Sequence, residues 1–134
     1  MTDLGIVDAL AQLSFRVQAA LAARAAEHDL SLVQVRLLGV LRDRTPGMAQ
    51  LAAVLGLDKS SVTGLVDRAG ARGLVSRVAS EEDRRAVQVR LTDRGRALVE
   101  VVEREFGADV AAMVSELTPA QQRTLSGLAS RVVG

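Results

Sequence analysis

The chain has 134 residues, room for one domain, with 49% hydrophobic residues, no cysteine and a formal net charge of +1. The missing cysteines exclude a disulfide framework, a thiolate metal site and a thiol redox sensor. The N-terminus lacks a basic region followed by an apolar one, and no apolar run approaches ~18 residues, so neither a secretory signal nor a membrane span is expected. A cytoplasmic address with no membrane partner is the corresponding expectation.

In chain order, a first helix is predicted from about Leu4 to His28, with Leu10, Leu13, Val17 and Leu21 on one stripe. Ser31-Leu-Val-Gln34 is a capping box that opens a second helix, running to about Asp43. Thr45-Pro46-Gly47 then breaks the chain. A short helix from Met48 to Leu55 follows, then a turn at Gly56-Leu57. Asp58 is a good N-cap for the next helix, expected to reach Ala71. Ala52 is small where the two helix axes must approach. Gly56 stands where the backbone needs positive φ, and Val62 falls where it can lock the second helix onto the first. Together these spacings mark a helix-turn-helix.

The helix after the turn has two faces. Val62, Leu65, Val66 and Ala69 recur at core-facing spacing. Ser60, Thr63, Gly64 and Asp67 lie opposite, with Ser61 and Arg68 at the edges. Short polar side chains and a glycine let a helix approach base edges closely, where hydroxyls donate to or accept from bases and phosphates. An ordinary solvated face would more often carry Glu, Lys and Gln.

Beyond Gly73, Leu74–Ala79 reads as a strand, Ser80–Ala86 as a charged loop and Val87–Leu91 as a second strand. In the second strand Val87, Val89 and Leu91 should face in, and Gln88 and Arg90 out. Asp83 and Arg85 are two residues apart and project from the same side of an extended tip. A carboxylate there can orient a guanidinium, which suits a narrow, electronegative minor groove. Arg77, Arg84, Arg90 and Lys59 are candidate phosphate contacts.

Thr92 caps a long helix from Asp93 to about Ser115, with Leu98, Val102, Phe106, Val110, Met113 and Leu117 on one stripe. Thr118-Pro119-Ala-Gln121 opens a last helix carrying Leu125, Leu128, Ala129 and Val132. One small domain cannot cover terminal helices this apolar. A twofold dimer is therefore expected, with its recognition helices about 34–36 Å apart.

The run LAAVLGLDKSSVTGLVDRAGARGLVSR followed by EEDRRAVQVRLTDRG resembles the winged-helix core of the MarR family of bacterial transcriptional regulators. The specific match runs through Asp83, Arg85, Leu91, Thr92 and Gly95. The resemblance extends over nearly the whole chain. It implies a mainly α fold with a small β-hairpin wing: a winged helix-turn-helix flanked by N- and C-terminal dimerisation helices. One domain is expected over 1–134, with the DNA-binding core at 31–92 and dimerisation helices at 1–29 and 93–134. The implied activity is repression by a homodimer on a pseudo-palindromic double-stranded operator, with a possible small-molecule effector that relieves it. Family architecture offers Gln12, Phe15, Arg16, His28 and Leu41 as effector-lining candidates. The implied DNA-binding set is Lys59, Ser60, Ser61, Thr63, Gly64, Arg68, Arg77, Asp83, Arg84, Arg85 and Arg90. The chain departs from the family in three places. Ser80-Glu81 replace a frequent Asp-Pro, Gly64 replaces a frequent arginine, and Gly70 predicts a recognition helix that frays one turn early.

Charge distribution agrees with a nucleic-acid partner. Residues 58–96 hold nine basic and six acidic groups, while the remainder holds eight and ten. An enzyme is disfavoured: His28 is the lone histidine, Lys59-Ser60 lacks the glycines of a phosphate loop, and no GxSxG or GxGxxG occurs. No metal or cofactor is expected. An RNA or single-strand binder would need stacking aromatics, and the chain has Phe15 and Phe106 alone. A winged helix used for protein contacts is the remaining alternative, one with little need for an arginine-tipped wing.

Overall fold

The computed structural model describes residues 2–134. Among these, six helices and one hairpin follow in the order α1 (Gly5–Glu27), α2 (Leu32–Leu41), α3 (Met48–Leu55), α4 (Lys59–Ala71), β1 (Val75–Ala79), β2 (Val87–Leu91), α5 (Asp93–Met113) and α6 (Pro119–Val133). The caps set these boundaries. Ser31 Oγ accepts from the Gln34 N–H while the Gln34 side chain accepts from the Ser31 N–H, and Thr118 with Gln121 repeats the arrangement. Gly56 ends α3 in the left-handed region at φ 65°, which a side chain there would disfavour. Despite Gly70, α4 runs on to Ala71. Arg72 as C-cap and Gly73 at φ 73° then turn the chain into β1.

The core is that of the winged helix. Leu37, Leu38, Leu41, Leu51, Val62, Leu65, Val66 and Val89 are almost wholly buried, and Val99 and Val102 of α5 close the cluster from the other side. All four predicted core positions of α4 are buried. Strands β1 and β2 pair antiparallel from Val75↔Leu91 to Ala79↔Val87. An isolated bridge, Gly47↔Gln88, ties the break before α3 to the other edge of β2.

The structure differs from the sequence-based expectation at several points. Val87 lies on the inward side of the pleat but at the tip, beyond the reach of the core, and stays 43% exposed. Val99, off the expected stripe of α5, is buried because α5 meets both β2 and α2. Leu10 and Leu13 of α1 are exposed, and no residue of α6 is buried. Leu125, Leu128 and Val132 therefore present an uncovered apolar face on α6, as Ile6, Val7 and Leu10 do on α1. By length and composition alone α1 is apolar enough to cross a bilayer. Its Arg24, however, is engaged in ion pairs with α5.

The joint between the hairpin and α5 is a close backbone approach. The Thr92 N–H donates to the Leu74 carbonyl at 3.1 Å, and the Thr92 hydroxyl donates to the Gly73 carbonyl at 2.6 Å. The same hydroxyl oxygen accepts from the Gly95 N–H at 3.0 Å. A Cβ on Gly95 would stand 2.0 Å from the Leu74 carbonyl oxygen. Backbone on both sides leaves nothing flexible to yield. Gly95→Ala should lower unfolding free energy by ~3 kcal/mol or more. Gly39→Ala, in a helix with open space around it, should be neutral or stabilising. Denaturant titration of the two variants checks the pair.

Candidate nucleic-acid interface

The exposed side of α4 begins at its cap. Asp58 Oδ1 accepts from the Ser61 N–H at 2.8 Å and from the Ser60 hydroxyl at 2.9 Å. Those bonds, the Ser61 amide first, hold the Asp58 carboxyl below the usual carboxylate range. Its contribution is present above the ordinary value and is lost as pH falls through the lowered one. The Thr63 hydroxyl donates back to the Lys59 carbonyl at 2.9 Å. The hydroxyls of Ser60 and Thr63 thus offer acceptor lone pairs outward, while Ser61 is exposed with no such bond. Arg68 lies over Gly64, where a Cβ would meet its NH1 at 3.1 Å. Lys59, Arg68, Arg84, Arg85 and Arg90 are exposed and make no ion pair among the described residues.

The wing tip is built differently from the expectation. Asp83 Oδ1 accepts from the backbone N–H of Arg85 at 3.0 Å and forms no ion pair with the Arg85 guanidinium. The two-residue spacing favours this Asx turn, because the local amide is nearer to the carboxylate than a long side chain's end. Asp83 thus shapes the backbone from which Arg85 projects. The Ala86 N–H closes the turn on the Asp83 carbonyl at 3.0 Å, and the Ser80 N–H donates to the Ala86 carbonyl at 3.0 Å. Ser80, 8% exposed, accepts at Oγ from the amides of Glu82 and Asp83. Sequence reasoning passed over Ser80, although a serine opening a turn is a recognisable signal.

Arg77 differs from the other candidate phosphate contacts. Its Nη2 donates to Asp67 Oδ1 at 2.5 Å, so it braces β1 against α4. Arg72 was missed altogether. Its NH1 donates to the Asp29 carbonyl at 2.7 Å and its NH2 to the His28 carbonyl at 3.0 Å. One arginine thereby caps the C-terminus of α1 from the end of α4. The signal was faint: Asp29, a non-glycine residue at φ 56°, marks a turn that needs such support.

The five effector candidates do not converge. Gln12 and Phe15 are exposed on α1, and Phe15 is 68% exposed. Arg16, His28 and Leu41 line three separate clefts. His28 Nε2 lies 2.8 Å from Glu105 Oε1, and Leu41 is a core residue, 2% exposed. Nearby, Arg24 makes a bidentate pair with Asp109, at 2.7 and 2.8 Å, which keeps that carboxyl below its ordinary range. Between α1, α2 and α5 lies an apolar cavity of about 190 Å³ lined by Leu21, Leu38, Val99, Val102 and Phe106, with Arg36, Arg42 and Glu103 also on its wall. Arg42 and Glu103 form an ion pair there.

The MarR family model matches residues 28–86, from the end of α1 to the wing tip. The multiple antibiotic resistance protein MarR of Escherichia coli is 30% identical over 109 residues, 78% of this chain and 74% of the relative. This chain belongs to the MarR family. PecS of Dickeya dadantii, a helix-turn-helix transcriptional regulator, is 28% identical over 131 residues, 95% of this chain and 79% of PecS. YfiV of Bacillus subtilis is 38% identical over 71 residues, and the chain spans 44% of that relative's length. Among solved structures, RV1404 of Mycobacterium tuberculosis superposes with a TM-score of 0.80 at 29% identity, covering 93% of this chain and 90% of the other. A cysteine-to-serine mutant of E. coli MarR, crystallised with operator DNA, has the same fold, with a TM-score of 0.76 at 24% identity and coverage of 99% and 100%.

The Asx turn at the MarR-type wing tip yields a direct test. Asp83→Ala should speed hydrogen exchange at the Arg85 amide. Asp83→Asn, which keeps the acceptor oxygen, should leave it near wild type. Equal exchange in both variants would show that the turn does not depend on residue 83.

Proposed function

We propose that the protein is a homodimeric, sequence-specific double-stranded DNA-binding regulator that represses transcription by occupying a promoter. The observation that carries this reading is the pairing of two free cationic elements on one rigid unit. A capped recognition helix offers hydroxyls and Arg68, and an adjacent hairpin offers Arg84, Arg85 and Arg90, which have no carboxylate partner among the described residues. The helix suits the major groove, and a tip arginine suits the minor groove beside it. The operator complex of E. coli MarR, the same fold, supports this placement. A soluble, non-enzymatic protein working in the cytoplasm fits the reading.

The exposed apolar faces of α1 and α6 are the surfaces for a second copy. They would bring two recognition helices onto successive turns of a pseudo-palindrome. The uncovered character of α1 then reflects this interface and requires no bilayer. A small-molecule effector, where one acts, would enter the cavity between α1, α2 and α5. It would do so at the junction of the dimer helices and the DNA-binding core and bias the separation of the two recognition helices.

Fluorescence anisotropy on duplex DNA from upstream of the gene, against a scrambled duplex, tests the reading. Tight selective binding that falls with salt is expected. Arg85→Ala should weaken it by about tenfold or more with the dimer intact by analytical ultracentrifugation. Equal, weak binding of both duplexes would instead support a winged helix used for protein contacts.

A further inference from the structure

We infer that Arg68 is the base-reading residue of the recognition helix, that the base it reads is a guanine in each half-site, and that Gly64 exists to position it. The inference rests on the DNA-binding reading and adds to it which side chain selects which base.

The other exposed side chains of α4 are short or committed. Ser60 and Thr63 spend their hydroxyl protons on Asp58 and on the Lys59 carbonyl. Arg72 is occupied by the carbonyls of His28 and Asp29. Lys59 stands at the first turn as a point charge, suited to phosphate. Arg68 is thus the guanidinium of this helix that remains free. The helix positions that face it, Gly64, Leu65, Ala71 and Arg72, carry no carboxylate, and the adjacent Asp67 is held by Arg77 at 2.5 Å.

The direction of Arg68 matters as much as its freedom. Long helical side chains point toward the N-terminus of their helix. Arg68 does so over Gly64, one turn earlier, and its NH1 occupies the space beside that glycine. Recognition helices present base contacts from their N-terminal part. By lying back across Gly64, the guanidinium is carried one turn toward that part from a residue about two and a half turns along. A planar fork held there matches O6 and N7 of guanine bidentately. Gly64 is otherwise a liability, since a glycine in mid-helix is less stable than an alanine. Beyond its chain neighbours and the helix's own backbone, Arg68 alone lies within 4 Å of a Cβ built there.

The experiment selects bound duplexes from a random library with the wild type, Arg68→Ala, Arg68→Lys and Gly64→Ala. Affinities are then measured for the selected duplex and for each single-base-pair change. The wild type should select a guanine in each half-site. Arg68→Ala should lose discrimination at that pair alone, by about 5- to 150-fold, and Arg68→Lys should not restore it. Gly64→Ala should raise the Tm and still blunt discrimination at the same pair, a combination that a merely structural glycine would not produce. If Arg68→Ala instead weakens all duplexes equally and lowers the salt slope by about one, Arg68 is a phosphate contact and the inference falls. Unchanged discrimination in Gly64→Ala would overturn the role given to the glycine. Failure of the wild type to select any sequence would overturn the DNA-binding reading, and the inference with it.

Discussion

The approach of α5 to the turn between α4 and β1 is the constraint on which the rest of the structure depends. Thr92 binds the carbonyls of Gly73 and Leu74 while capping α5 through the Gly95 amide. Gly95 has no Cβ because the Leu74 carbonyl already occupies that place. The recognition helix, the base of the wing and the long C-terminal helix therefore move as one body. A DNA reader gains from this rigidity, because its helix and wing must meet two grooves at once. The Leu-Thr-x-x-Gly run is thus an architectural joint and not a contact surface.

Arginines divide between building that body and facing outward. Arg24 binds Asp109, Arg72 caps α1, and Arg77 holds Asp67. Each joins two elements, and each sits where the sequence gives a single charged letter with no hint of its partner. Among the described residues, Arg68, Arg84, Arg85 and Arg90 have no such partner. A chain with a net charge of +1 can in this way present free arginines on a reading surface, since Glu27, Asp43, Asp67, Glu103, Glu105 and Asp109 are each paired with other cations. Arg72 and His28 also place the end of α4 in direct contact with the α1–α5 layer. The α1–α5 layer thus touches the end of the recognition helix directly.

Much of this was legible in the sequence because it is local. Asp58, Ser31, Thr92 and Thr118 cap helices within three residues of themselves, and Gly56 must turn where it does. Apolar spacing placed Val62, Leu65, Val66 and Ala69 in the core. What could not be read was long-range. The pairing of Arg77 with Asp67 depends on how β1 crosses α4. The grip of Arg72 on Asp29 spans 43 positions, and Val99 is buried by a strand and a helix that approach from elsewhere. At the wing tip the error was chemical. The Asp83–Arg85 spacing suggests a side-chain pair, but so short a separation lets the carboxylate reach the backbone amide first. Among the effector candidates, Arg16, His28 and Leu41 lie in separate clefts for a related reason. A list of positions on separate helices carries no information about which cavity, if any, they share.

The central claim is that two rigid reading units are held at a fixed separation on duplex DNA. The chain has no cysteine, so Ala71→Cys, at the exposed end of α4 away from its N-terminal part, takes one spin label per protomer. Pulsed dipolar spectroscopy then measures the distance between the labels with and without a duplex selected from a random library. The account predicts a dipolar signal from the free protein that narrows to a single distance on DNA. Absence of any dipolar signal, or a distribution as broad with the duplex as without it, would contradict it.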